Sequence, residues 1–135
     1  MRRALSFVIL TVGLGLATTP VLAHHSFAAE FDSTKPITIS GCVTKLEWMN
    51  PHARFYLDVK DASGKVTNWE FELGSPNGLL RAGWTRSSLK IGDDVTVKGF
   101  RAKDGSNLVN AVSVSLSNGQ GVLSGASSGE NPEKK

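Results

Sequence analysis

Three histidines, His24, His25 and His52, are the side chains of this chain best suited to binding a metal ion. His24 and His25 directly follow an apolar N-terminal run. If a protease cuts after Ala23, His24 gains a free α-amino nitrogen beside its imidazole, and this pair of nitrogens can chelate Cu(II). His25 or His52 would complete such a copper site. The alternative is that His24 and His25 are solvated residues beside a cleavage point.

A second candidate site lies in the stretch LEWMNPHARFYL, residues 46–57, where Trp48, Met49 and His52 surround an Asn-Pro turn. A thioether and an imidazole can bind Cu(I), and the face of an indole ring attracts a cation. Met49 is the weaker ligand, because consecutive residues of an extended strand point to opposite faces. The alternative is that Trp48 packs over the end of a barrel and His52 hydrogen-bonds the loop.

Aromatic side chains suggest a third chemistry, stacking against a sugar, a glycan fragment or a small aromatic molecule. The candidates are Trp48, Tyr56, Trp69 and Trp84. Trp69 follows the apolar alternation of a strand, which favours a place in the core, so Trp48 and Trp84 are predicted to be available to a ligand. The predicted ligand-binding set is Trp48, Asn50, His52 and Trp84.

The sequence does not favour catalysis. Glu70 and Glu72 alternate with apolar residues beside Asn68, which predicts a solvated polar face of a strand. Cys42 lies in a strand pattern with no histidine at a telling spacing, and the chain has neither a nucleophile elbow nor a glycine-rich phosphate loop. We therefore expect a protein that is not an enzyme.

The elements that must position these residues are mostly strands. The first strand runs from Ile37, and its apolar residues change from odd to even positions, which predicts a bulge between Gly41 and Lys45. Residues 53–60, 68–73, 95–100 and 108–116 alternate as four further strands. Ser75 can cap a short helix that starts at Pro76 and stops near Gly83.

Three strands, a helix and two more strands predict an all-β class with one short helix. The order is that of a small five-stranded barrel similar to the OB-fold, in which a long, bent first strand pairs on both sides. An open β-sandwich is the alternative.

The N-terminus indicates export. Arg2 and Arg3 precede an apolar run, and Val21 and Ala23 fit the signal peptidase pattern. The predicted organisation is a signal peptide over residues 1–23, an N-terminal arm over 24–35, the barrel domain over 36–117 and a disordered tail over 118–135. We expect a periplasmic or secreted protein with no membrane span after cleavage; an uncleaved anchor is the alternative.

Charge narrows the choice of partners. Cleavage removes two arginines, so the 15 basic and 12 acidic residues of the chain become 13 and 12. A nearly neutral exported domain is not expected to bind nucleic acid. A basic edge of Arg81, Arg86 and Lys90 lies near the predicted helix, where it could meet an anionic partner or keep the surface soluble. The expected partner is an unknown small ligand or an envelope protein.

Four motifs occur in order along the chain: AHHSFAAEFD, EWMNPHARFYLDVKD, NWEFELGSPNGLLRAGWTRSSLKIGD and VKGFRAKDGS. Over His24 to Asn118 the chain resembles small exported bacterial proteins, many of them proteobacterial, that are catalogued only as a domain of unknown function. The resemblance implies a secreted or periplasmic β-barrel-like domain and no particular activity. Its shared positions are Trp48, Asn50-Pro51-His52 and Gly74-Ser75-Pro76, whereas Met49 and Cys42 do not stand out.

The functional hypothesis is an exported, non-enzymatic binding module with a candidate copper site made of His24, His25 and His52. The alternative is a protein-interaction or stress accessory domain of the envelope that has no small-molecule ligand.

Overall fold

The computed structural model of the chain describes residues 27–119 and 122–124. Its elements are α1 (Phe27–Glu30), β1 (Phe31–Glu47), β2 (Arg54–Lys60), β3 (Val66–Glu72), α2 (Pro76–Arg81), β4 (Asp94–Ala102), β5 (Leu108–Leu116) and β6 (Val122–Ser124). The predicted all-β class, with a short helix between the third and fourth strands, is confirmed. The single turn α1 and the strand β6 were not predicted.

β1 is the longest strand and pairs antiparallel with both β2 and β4. Cys42 lies where the pairing of β1 passes from β4 to β2, because it is in register with Asp58 of β2 and with Asp94 of β4. The register with β2 shifts between Val43 and Lys45, so the predicted bulge is confirmed. A Cβ on Gly41 would lie 2.6 Å from the Asp58 carbonyl oxygen, which explains why this crowded position holds a glycine.

The remaining pairings close a ring of five strands. β2 pairs antiparallel with β3, β3 pairs parallel with β5, and β5 pairs antiparallel with β4, which returns to β1. β6 adds to β5 outside this ring. The prediction that the first strand pairs on both sides is therefore confirmed.

The core consists of alternate apolar side chains from these strands together with residues that follow β3. The rings of Phe55 and Phe71 stack with their centroids 5.0 Å apart. Leu79 of α2, with Trp84 and Leu89 of the link after it, belongs to the same buried cluster. Burial of these three side chains anchors the helical segment to the strands by the hydrophobic effect.

Two boundaries differ from the prediction. β1 starts at Phe31, inside the predicted arm, and Phe31 is buried with its ring centroid 5.7 Å from that of Phe27. Residues 32–35 are all polar, and they hide the start of the strand in the sequence because they interrupt the apolar alternation. At the other end, β6 lies inside the predicted disordered tail, most of which is outside the described residues, as is the predicted signal peptide.

Within the part of the chain that the structure describes, no helix has both the length and the apolar character needed to cross a membrane.

Candidate functional site

A groove of about 570 Å³ separates the turn after β1 from the segment that contains α2. We call it the Trp48 groove. Its lining residues are Trp48, Met49, Asn50, Pro76, Asn77, Leu80, Thr85, Arg86 and Ser87. The volume falls within the range of about 300–1,000 Å³ that is typical of small-molecule sites.

The first wall of the Trp48 groove is the turn between β1 and β2. Trp48 is half-buried against the core, whereas the side chain of Met49 is 52% exposed. Asn50 is exposed, and the peptide bond that joins it to Pro51 is cis. The backbone of Ala53 hydrogen-bonds both Leu73 and Gly74, at 2.8 and 3.0 Å. These bonds tie the turn to the segment that leads into α2.

The second wall is α2, and both of its ends are capped. The Ser75 hydroxyl accepts a hydrogen bond from the Gly78 amide at 3.2 Å, and Pro76 occupies the first helical position, as predicted. At the other end, the Gly83 amide donates to the Leu80 carbonyl, while the Trp84 amide donates to the Leu79 carbonyl.

This pair of bonds is a Schellman motif, which requires the positive φ of +91° that Gly83 adopts. It turns the chain back so that Trp84 packs into the core beside Leu79. Because Leu79 and Trp84 hold the inner face of α2, Leu80 is left 53% exposed toward the groove.

The prediction that Trp84 is available to a ligand is therefore wrong, since its side chain is only 1% exposed. The sequence contained the signal that would have placed it. A glycine just after a helix commonly starts a Schellman motif, and the residue after that glycine then packs against the last turn of the helix.

The other aromatic candidates do not line the groove. The Tyr56 hydroxyl donates to Glu47 at 3.0 Å, and the Trp69 ring is half-buried with the Arg101 guanidinium 5.3 Å from its centroid. Of the four aromatic residues considered as stacking surfaces, Trp48 alone lines the groove.

His52 also lies outside the lining of the groove. Its Nδ1 is 3.2 Å from the Leu73 carbonyl oxygen and 4.0 Å from Glu72 Oε1. The structure therefore brings Trp48, Met49 and Asn50 to one groove. The His52 ring instead contacts the backbone of Leu73, which precedes α2. This agrees with the interpretation in which His52 hydrogen-bonds the loop.

The predicted copper ligands are only partly covered by the structure, because His24 and His25 lie outside the described residues. Among the residues it does describe, no group of three His, Cys, Asp or Glu side chains could hold a metal ion. The copper site expected from His24, His25 and His52 therefore stays a prediction.

A model of the Family of unknown function (DUF6152) matches residues 13–110. The chain belongs to this family. The DUF6152 match spans every residue of the Trp48 groove and ends within β5. No match was found among curated proteins. Membership in DUF6152 assigns no activity, so the function must be argued from the site.

The outer face of β2 and β3 in this DUF6152 chain carries a network of charges. Arg54 Nη1 lies 3.0 Å from Glu70 Oε1, and Arg54 Nη2 lies 3.7 Å from Glu72 Oε2. Glu72 is only 6% exposed, so the prediction of a solvated face is wrong for this residue. The reason is the ring closure: β3 pairs on both sides here, with Glu72 in register with Arg54 and with Asn110.

Next to this network, Lys45, Glu47 and Tyr56 interact across β1 and β2. The hydrogen-bonded ion pair with Lys45, followed by the hydrogen bond from Tyr56, holds the pKa of the Glu47 carboxyl below its ordinary value. Burial, followed by the hydrogen bond to Glu47, raises the pKa of the Tyr56 hydroxyl. All three side chains contact one another, which supports a structural role for them.

The charge of the segment that forms the second wall of the Trp48 groove is of one sign. Residues 75–92 contain Arg81, Arg86 and Lys90 and no Asp or Glu. Arg86 lines the groove, and Arg81 follows Leu80 on the exposed side of α2. Neither arginine forms an ion pair with another described residue. The groove therefore combines exposed apolar side chains with a cationic rim.

Proposed function

We propose that this DUF6152 chain is an exported, non-enzymatic binding domain and that the Trp48 groove is its ligand site. The observation that carries the proposal is the clustering of exposed apolar surface. Four large apolar side chains are exposed among the described residues, and two of them, Met49 and Leu80, line this single groove beside Trp48. Exposed apolar surface with a polar rim is typical of binding sites.

Export is the part of the proposal that the sequence supports. Arg2, Arg3 and the apolar run before Ala23 have the order of a signal peptide, which would place the domain in the periplasm or outside the cell. Mass spectrometry of the natively produced protein tests this. A first residue of His24 is expected, and retention of residues 1–23 would contradict export with cleavage.

Binding at the groove can be tested by nuclear magnetic resonance. The ¹⁵N-labelled mature protein is titrated with a set of small aromatic and aliphatic acids and amides. Shifts are expected at the Trp48 indole and at the amides of Met49, Leu80 and Arg86. The variant Leu80→Ala should weaken binding by about threefold or more, since part of the apolar contact is lost.

Ile91→Ala is the matched control, because Ile91 is 76% exposed and lies outside the groove. It should leave binding unchanged. Shifts that cluster elsewhere, or equal effects of the two variants, would refute the assignment of the groove as the ligand site.

Copper binding is a second candidate function, and the hydrogen bond of His52 is compatible with it. Histidines that bind metals usually donate the second ring N–H to a carbonyl or carboxylate, and Nδ1 of His52 lies 3.2 Å from the Leu73 carbonyl oxygen. We propose His24 and His25 as the further ligands and Met49 as a weak one.

Titration with Cu(II) and Cu(I) tests the copper site. Wild-type protein with a confirmed His24 N-terminus should bind copper, and His24→Ala and His52→Ala should each weaken binding. Absence of binding by the wild type at micromolar copper, or equal binding by all three proteins, rules the site out.

A further inference from the structure

We propose that the Trp48 groove binds an acidic peptide segment, which places an apolar side chain against Met49 and Leu80 and its carboxylates beside Arg81 and Arg86. This inference rests on the proposed function, because it names the occupant of the same groove.

The charge of the partner follows from the rim. Arg86 belongs to the groove lining, Arg81 directly follows Leu80, and no acidic residue occurs between residues 75 and 92. Both arginines are exposed and form no ion pair with other described residues. A cluster of charges of one sign favours a partner of the opposite sign and increases its association rate.

The apolar part of the partner follows from the lining. Met49 and Leu80 are each about half exposed, and Trp48 presents the part of its indole that the core does not cover. A simple anion such as phosphate would leave this surface in water. A partner that covers it must carry an apolar group next to its negative charge, and one large side chain fits within the groove volume.

A peptide fits better than a lipid membrane. The exposed apolar side chains line an open groove between two walls, whereas a membrane surface needs protruding ones. After the predicted cleavage the chain carries 13 basic and 12 acidic residues, which gives it little overall attraction to an anionic bilayer. The exposed amides of Asn50 and Asn77 also offer donors and acceptors that can pair with the backbone of an extended peptide.

The test uses the full mature protein and two fluorescein-labelled peptides of equal length that alternate leucine with glutamate or leucine with lysine. Binding is followed by fluorescence anisotropy at low and high salt. The acidic peptide should bind at least about fivefold more tightly than the basic one, and added salt should reduce this difference.

Arg86→Glu should weaken binding of the acidic peptide by about fivefold or more, and Arg81→Glu should weaken it in the same direction. Lys98→Glu makes the same change of charge at an exposed position on β4, outside the groove, and should leave binding unchanged. Circular dichroism confirms that each variant is folded.

Equal binding of the two peptides, or equal effects of Arg86→Glu and Lys98→Glu, overturns the acidic-peptide inference. If the small aromatic and aliphatic acids and amides still shift the groove resonances, the proposed function survives this result. If they also fail to bind, both proposals fall. The protein is also tested with phosphatidylglycerol vesicles. If they bind more tightly than the acidic peptide and Arg86→Glu abolishes that binding, the peptide inference is overturned in favour of a membrane surface.

Discussion

Leu79 and Leu80 are neighbours in α2, yet their side chains are 2% and 53% exposed. Replacing each by alanine therefore separates the packing role of the helix from its role in the groove. Leu79→Ala removes a fully buried side chain and leaves a cavity, which costs about 2–5 kcal/mol of unfolding free energy. Leu80→Ala removes a side chain that is already half in water, so its cost should stay below about 1 kcal/mol.

Urea unfolding followed by circular dichroism measures both effects. A domain of this size loses about 1–3 kcal/mol of stability per molar urea, so Leu79→Ala should lower the midpoint by roughly 1 M or more. Leu80→Ala should hardly move the midpoint but should weaken ligand binding in the groove. Helix propensity cannot explain a difference in stability between the two variants, because both changes are from leucine to alanine within the same short helix.

Leu79→Met provides a milder variant in case Leu79→Ala fails to fold. It keeps most of the buried volume and should cost less than about 1.5 kcal/mol. The reasoning is refuted if Leu80→Ala destabilises the domain as much as Leu79→Ala does. It is also refuted if removal of Leu79 leaves the urea midpoint unchanged.

Three further predictions concern the strands and their turns. Gly41→Ala should lower the unfolding free energy by about 1–3 kcal/mol in urea titrations, because the new methyl group would lie 2.6 Å from the Asp58 carbonyl oxygen. Arg54→Met should lower the unfolding free energy by roughly 1 kcal/mol, because the nearly buried carboxylate of Glu72 loses its cation. The loss is no larger because the Arg54 side chain is partly exposed and solvent screens its charge. Asp61→Asn should make stability less sensitive to acid. Hydrogen bonds, first that from the Ser63 hydroxyl, lower the pKa of the Asp61 carboxyl in the folded state. The stabilisation by Asp61 is therefore present above its unfolded pKa of about 3.9 and is lost as the pH falls through its folded pKa.

Each of these predictions has its own control. Gly78→Ala tests the glycine argument, because the nearest atom to its new Cβ is a side-chain oxygen at 3.2 Å, and it should cost less than Gly41→Ala. Glu72→Gln combined with Arg54→Met should recover part of the loss, since the uncompensated charge is removed. Unchanged acid sensitivity in Asp61→Asn, measured from urea midpoints between about pH 5 and pH 2, would contradict the pH argument.

The sequence predicted the strands well because one face of each strand is buried, and burial gives a period of two that is visible without any structure. The bulge in β1 was visible for the same reason, as a change of phase between Gly41 and Leu46. The start of α2 was visible because Ser75 and Pro76 are specific to helix N-termini. These are all local signals.

The errors concern contacts between residues that are distant in the chain or geometry that depends on a single turn. The burial of Glu72 depends on the parallel pairing of β3 with β5, which no local pattern reveals. The burial of Trp84 depends on the backbone conformation of Gly83. The candidate site was predicted in part: Trp48 and Asn50 lie in the groove, and Arg86 was expected at a basic edge near the helix. Leu80 was recognised only once α2 was placed opposite the turn after β1.

The parallel seam between β3 and β5 is the shortest of the pairings that close the ring, with Glu70, Phe71 and Glu72 in register with Leu108, Val109 and Asn110. Parallel pairing is also slightly less stable per residue than antiparallel pairing. Transient local opening should therefore begin at this seam, and its amide protons should exchange with solvent earlier than those at the centre of β1. Since α2 follows β3 directly, each such opening would loosen one wall of the groove, and an occupant that bridges both walls would slow that exchange.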